Sequence, residues 1–256
     1  MKRAVLLVSF GTSYKEAREK SLESICRDMA EADKNVPVYQ AYTSGMIIKK
    51  LAKDNIKMYN VDEAIEKALK ENVQSLYVVS THMIPGHEYN KLLGILEKYK
   101  SEFKSLKIAT PLLYERGDCE KVVSVLNKIF KFNKIYDYVL MGHGTDADAN
   151  IRYKEMNEAF ENAGFKNVHI ASVEAKPDIN DAIAEMKKRK NIEKVIVHPF
   201  MIVAGDHANN DMAGERDSFV SVLNECGYKT EAILKGLGEY PEFREIYVNK
   251  LTEMIK

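Results

Sequence analysis

Short apolar runs alternate with longer amphipathic segments from one end of the chain to the other, and this alternation restricts the fold more than any single residue does. Apolar runs of a few residues suit strands buried on both faces, whereas the intervening segments repeat their apolar positions at helical spacing. Strands are expected at 4–8, 38–42, 76–80 and 107–112, and again at 136–141, 167–173, 194–198 and 229–234. Helices are expected near 14–32, 46–71, 88–101 and 118–131, then near 148–163, 178–190, 208–225 and 241–255. Four β-α units thus occur twice. The pattern predicts an α/β protein of two similar domains, each a four-stranded parallel sheet flanked by helices.

A chain of 256 residues with 45% apolar content can bury two cores of ordinary size. The expected domains are 1–132 and 133–256, joined near Lys131 to Lys134, with the last helix able to pack on the first domain. Individual residues repeat as well. Val8-Ser9-Phe10-Gly11-Thr12 follows the first strand of one half as Met141-Gly142-His143-Gly144-Thr145 follows that of the other. Met83-Ile84-Pro85-Gly86-His87 matches Met201 to His207 with two residues inserted.

Lys+Arg and Asp+Glu balance at 38 each, which argues against a general nucleic-acid or acidic-membrane surface and leaves any anionic ligand to a local pocket. Cys26, Cys119 and Cys226 are scattered without a C-x-x-C pair, so neither a disulfide framework nor a thiolate zinc site is expected. The apolar run at 4–8 is too short for a signal-peptide core, and no segment approaches the ~20 apolar residues of a membrane span. A cytoplasmic protein is expected.

Ligands of open α/β sheets collect beyond the carboxyl ends of the strands. Three candidates fall there in the second half: His143, Glu174 and His207. Two imidazoles and a carboxylate suit Co²⁺, Ni²⁺, Fe²⁺ or Zn²⁺, and a set of only three ligands leaves positions open for water or substrate. By spacing alone, a lone histidine at a strand end is more often a hydrogen-bonded structural residue than a metal ligand. His82 and His87 belong to the first half, while His169, inside a strand, and His198, before a proline, are expected to be structural.

Other motifs leave alternatives open. Gly142-His143-Gly144-Thr145-Asp146-Ala147 satisfies the relaxed dinucleotide fingerprint, with Glu174 at the position of a ribose-binding acid. Asp146 and Asp148 oppose a pyrophosphate at that helix start and read better as caps. Thr12 and Ser13 suit capping, while Ser9-Phe10-Gly11-Thr12 could also offer backbone N–H groups to an anion. Thr43-Ser44-Gly45-Met46 repeats that chemistry, followed by Lys49, Lys50 and Lys53. Glu88 opens a helix, where a carboxylate is favoured in any case.

Several of these blocks together resemble the anaerobic cobaltochelatase family of cobalamin biosynthesis, CbiK. They are Ser9-Phe10-Gly11-Thr12-Ser13, Thr43-Ser44-Gly45-Met46-Ile47-Ile48, Met141-Gly142-His143-Gly144, Val173-Glu174 and Gly236-Leu237-Gly238-Glu239. Most specific is Val203-Ala204-Gly205-Asp206-His207-Ala208-Asn209-Asn210-Asp211-Met212-Ala213. The resemblance implies a class II chelatase fold related to ferrochelatase, with an active-site cleft between two α/β domains. It implies a lyase that inserts Co²⁺ into sirohydrochlorin without ATP hydrolysis.

By motif, the family's metal-binding residues fall on His143, Glu174 and His207. The notional catalytic set is His143, His207 and Glu88, with His143 doubling as a base for pyrrole protons. Substrate contacts are expected from Ser9, Phe10, Gly11, Thr12, Ser44, Gly45 and Met201, with Phe10 and the stretch from Phe200 to Val203 packing on the ring. Two departures stand out: Lys176 lies where an aromatic residue is expected before Pro177, and His87 lies where the family tends to carry an acid. The expected partners are the tetrapyrrole and a divalent metal, with no tightly bound cofactor and with a homo-oligomer left open. Fe²⁺ or Ni²⁺ in place of Co²⁺, a non-catalytic tetrapyrrole or metal carrier, and a nucleotide-dependent enzyme are the alternatives.

Overall fold

The computed structural model describes residues 2–256. The chain begins with β1 (Arg3–Ser9), a helical stretch formed by α1 (Lys15–Ala17), the π-helical turn Arg18–Leu22 and α2 (Glu23–Ala32), and then β2 (Val38–Tyr42). It continues through α3 (Gly45–Lys53), β3 (Tyr59–Asn60), α4 (Val61–Lys70), β4 (Ser75–Ser80), α5 (His87–Tyr99) and β5 (Ser105–Ile108). These strands form one parallel sheet in the order β3-β2-β1-β4-β5.

After α6 (Arg116–Phe130), the second sheet is built from β6 (Tyr136–Gly142), α7 (Ile151–Asn162), β7 (Val168–Ser172), α8 (Ile179–Met186) and β8 (Lys194–Pro199). The π-helical turn Ala208–Met212, α9 (Phe219–Glu225), β9 (Thr230–Ala232) and α10 (Pro241–Ile255) complete the chain. The second sheet is also parallel, in the order β7-β6-β8-β9. Without β3, the two sheets have one topology, as the repeated β-α pattern requires.

Each sheet is covered by its own apolar helix faces. Leu6, Val8 and Val78 of the first sheet pack with Ile65 of α4 and Leu92 of α5. Val139, Met141 and Val197 of the second pack with Met186 of α8 and Leu223 of α9. All these side chains are nearly or fully removed from water, and burying one such residue contributes roughly 1.5–3 kcal/mol.

Two expected helices are interrupted. The 46–71 segment breaks after α3 at Asn55, which takes a left-handed φ of 58°, and restarts where Asn60 and Glu63 form a capping box. The 208–225 segment breaks at Gly214, whose N–H reaches the Asn210 carbonyl and where a Cβ would lie 2.3 Å from that oxygen. Ser218 then caps α9 through the Ser221 N–H. The fifth strand ends at Ile108 rather than Leu112, because Pro111 has no N–H for the ladder.

The chain divides into two compact units, one extending to Leu112 and taking in Phe243–Lys256, the other Leu113–Glu242. This differs from the boundary at 132–133 expected from the repeat, which places α6 in the first domain. In the structure α6 belongs with the second sheet, where Phe130 packs edge-on against His198 and Tyr240. Most of α10 belongs to the first unit. Arg244 donates to Asp28 at 2.5 Å, and the Lys250 ammonium donates to the Thr110 and Pro111 carbonyls.

Candidate metal centre

The second unit brings His143, Glu174 and His207 to the carboxyl edge of its sheet. His143 follows β6 directly. The ladder between β6 and β7 runs on past the strands: Val173 N donates to Gly142 O and Glu174 N to His143 O. Glu174 is therefore registered beside His143. Gly144, with φ of 91°, allows this approach, since a Cβ there would lie 3.0–3.2 Å from Ser172 Cβ and the Ala175 and Glu174 nitrogens.

His207 arrives by a different device. The turn Ala208–Met212 buries Ala208 and Met212 completely. Residues four apart lie on one face of a helical turn, so the next pair, His207 and Asp211, faces outward, each side chain 40% exposed. The turn is braced by the Asn209 amide, which donates to Gly205 O at 2.7 Å.

The rings of His143 and His207 meet edge to face, 4.4 Å between centroids and 87° between planes. His143 Nδ1 lies 3.0 Å from the Gly144 carbonyl and 3.5 Å from a Glu174 oxygen. His207 Nδ1 lies 2.6 Å from an Asp211 oxygen. A carbonyl and a carboxylate can only accept, so in each ring Nδ1 carries the proton and donates. In the neutral form of each ring, Nε2 is then the nitrogen with the lone pair, which is the form that binds a metal.

Among the described residues, no group of three or more His, Cys, Asp or Glu side chains is arranged to hold a metal ion. The structure brings the two imidazoles together but sets Glu174 against Nδ1 of His143. Asp211, the partner of His207, was not assigned a role from sequence. Its spacing of four from His207 on a helical turn was the available signal.

The other histidines are engaged elsewhere. His198 is fully buried, donates from Nδ1 to Pro199 O at 2.8 Å and accepts the Tyr240 hydroxyl at Nε2, 3.2 Å away. Burial lowers its pKa to about 4. His169 pairs with buried Asp137 at 3.3 Å, and Asp137 also accepts from Arg189 at 2.9 Å. Both histidines serve the architecture.

In the first unit, Ser80 Oγ lies 2.5 Å from His82 Nδ1, and burial lowers the His82 pKa to about 4 against an opposing effect of Glu88. His82 Nε2 and Glu88 Oε2 are both enclosed without a hydrogen-bond partner.

The residues expected to touch a tetrapyrrole divide into capping and exposed groups. Thr12 is buried and its Oγ1 accepts from Tyr14 N at 3.2 Å, while Ser44 caps α3 through Ile47 N. The Ser9 hydroxyl is enclosed and unpartnered, pointing away from solvent. Gly11, with φ of 99°, leaves no room for a Cβ above the Tyr42 ring. Around this turn, by contrast, Phe10 is 50% and Met46 79% exposed, with the surface around Gly45 open. Met201 is partly buried against the second core.

The dinucleotide alternative finds little support in the Gly142–Ala147 loop. Thr145 N is held by Asn150 Oδ1 at 3.1 Å and Ala147 N by Thr145 Oγ1 at 3.2 Å, so two N–H groups a pyrophosphate would use are occupied. No helix among the described residues is long and apolar enough to cross a membrane.

Comparison with known proteins gives concordant matches. A family model described as cobalt chelatase (CbiK) matches residues 3–256. A sirohydrochlorin cobaltochelatase of Salmonella typhimurium is 32% identical over 258 residues, covering 100% of this chain and 97% of that protein. A sirohydrochlorin cobaltochelatase, CbiKC, of Nitratidesulfovibrio vulgaris is 29% identical over 259 residues, covering 99% and 91%. In fold, the chain is similar to SirB from Bacillus subtilis with Fe3+, with a TM-score of 0.66, 14% identity and coverage of 99% and 95%. A cobalt complex of the sirohydrochlorin chelatase SirB gives a TM-score of 0.65 at 15% identity, with the same coverage.

Proposed function

The chain belongs to the cobalt chelatase (CbiK) family, and on that premise we propose that it is a lyase that inserts Co²⁺ into sirohydrochlorin in cobalamin biosynthesis. The observation that carries the reading at residue level is the pair of facing imidazoles, His143 and His207, each with Nδ1 engaged. In this reading the two Nε2 atoms would share one borderline divalent ion.

Metal insertion exchanges one Co²⁺ for two pyrrole protons. An Nε2 lone pair bound to the metal cannot accept a proton at the same moment. As the metal passes to the macrocycle nitrogens, the lone pair of His143 becomes free and can take a pyrrole proton, a step suited to imidazole near neutral pH. Glu88 is the proposed acceptor for further proton removal. Glu174 would rotate from His143 Nδ1 toward the ion, balancing its charge while the ion is held.

A site of two imidazoles and one movable carboxylate is incomplete by design: it strips some water from the ion but does not retain it as a closed structural site would. Phe10 and Met46 supply exposed apolar surface for a large flat ring. Gly45 leaves backbone accessible beside them. The Gly11 and Ser44 contributions would come from backbone groups, since Gly11 has no side chain and the Ser44 hydroxyl caps α3, whereas Ser9 and Thr12 are buried.

The direct test is conversion of sirohydrochlorin to its cobalt form, followed by absorbance, with substrate in large excess over protein. Multiple turnovers per chain are expected of an enzyme, one equivalent of a carrier. His207→Ala should keep its fold and lose turnover; near-normal turnover would remove His207 from the mechanism. Parallel runs with Fe²⁺ and Ni²⁺ rank the metals, which the ligand set alone does not order.

A further inference from the structure

We infer that Asp211 is the positioning residue for His207, and that it makes His207 the firmer metal anchor of the imidazole pair. This rests on the reading of His143 and His207 as the metal-holding groups.

The two imidazoles are held unequally. His207 Nδ1 donates to a carboxylate at 2.6 Å, whereas His143 Nδ1 donates to the neutral Gly144 carbonyl at 3.0 Å, with Glu174 farther off at 3.5 Å. A carboxylate behind a metal-binding imidazole fixes the ring's tautomer and orientation and strengthens the donor at the opposite nitrogen. A charged acceptor also forms the stronger hydrogen bond.

The fold supports the dyad independently of the metal. Ala208 and Met212 anchor the turn in the core, and Asn209 ties it back to Gly205. His207 and Asp211 are therefore held in step, one turn apart, with their heads toward solvent. His143 lacks so close an anionic backing and is the ligand from which the ion departs first.

The test is titration of the tetrapyrrole-free full chain with Co²⁺, read by its visible absorption, for the parent, Asp211→Ala, Asp211→Asn, Asp211→Glu and His207→Ala. Asp211→Ala should raise the Co²⁺ dissociation constant by about 10- to 100-fold and alter the Co²⁺ band, while thermal unfolding stays unchanged. Asp211→Asn keeps an acceptor for Nδ1 but loses the charge, so its loss should be smaller. Asp211→Glu should recover part of the affinity. Should Asp211→Ala disturb the turn, the isosteric Asn variant carries the measurement.

Parental Co²⁺ affinity in both Asp211→Ala and Asp211→Asn, with His207→Ala weakened, overturns the role of Asp211 alone. Parental affinity in His207→Ala overturns the metal site and this inference with it.

Discussion

Equivalent strands of the two units end in different chemistry. Beyond β1 and β2, the first unit carries Phe10 and Met46, both well exposed, the former beside a turn where Thr12 accepts from Tyr14 N and the latter in the first turn of α3, which Ser44 caps. Beyond β6 and β7, their counterparts in sheet order, the second unit carries His143 and Glu174. Beyond β4, the His82 ring has its Nε2 enclosed. Beyond β8, the turn that follows presents a His207 side chain that is 40% exposed, with Nδ1 held by Asp211. A shared topology thus supplies the edge, and the residues at each edge decide whether it offers carbon or nitrogen.

The largest expected effect tests whether metal chemistry belongs to the second unit's edge. His143→Ala and His207→Ala should each reduce kcat for cobalt insertion by roughly 10²- to 10⁴-fold, whereas His82→Gln, which changes an enclosed ring, should act mainly on stability. Equal losses of kcat in all three would erase the distinction. Next in size, Glu174→Gln should weaken Co²⁺ binding by about tenfold or more and leave the affinity for metal-free tetrapyrrole unchanged.

Phe10→Ser and Met46→Ser should do the converse. Each removes apolar surface worth about 1 kcal/mol, so KM for sirohydrochlorin should rise several-fold with Co²⁺ affinity unaltered. A change in Co²⁺ affinity instead would assign metal binding to the first unit.

A smaller effect concerns the buried imidazoles. Folding lowers the His198 pKa to about 4 from the usual 6.5 by burial. The unfolded chain therefore takes up the proton first as pH falls. Stability from this group is present above about 6.5 and is lost progressively toward pH 4, by a few kcal/mol at most. His82 contributes in the same direction. Urea unfolding of His198→Gln at pH 7 and pH 5 should show a shallower pH dependence than the parent; the same slope would exclude His198 as a source.

Periodicity made most of the architecture legible, because strands buried on both faces read as apolar runs. It missed β3, since Tyr59–Asn60 is too short to form a run. It also merged α3 with α4, although Asn60 and Glu63 carried a capping-box signal. The boundary at 132–133 followed the repeat in sequence rather than packing, and nothing local in α6 says which sheet its apolar face will cover.

At the site, the convergence of His143, Glu174 and His207 was legible because strand ends of a parallel sheet share one edge. Side-chain direction was not. The enclosed hydroxyl of Ser9, the turn of Glu174 toward Nδ1, and the Asp211 contact depend on rotamers and on a π-helical turn that composition does not announce.

The most direct measurement is the X-ray absorption spectrum of the chain loaded with one equivalent of Co²⁺ in the absence of tetrapyrrole. Multiple scattering from two imidazoles is expected in the parent, falling to one in His143→Ala and one in His207→Ala. A coordination shell of oxygen alone, or two imidazoles persisting in either variant, would contradict the assignment of the metal to this pair.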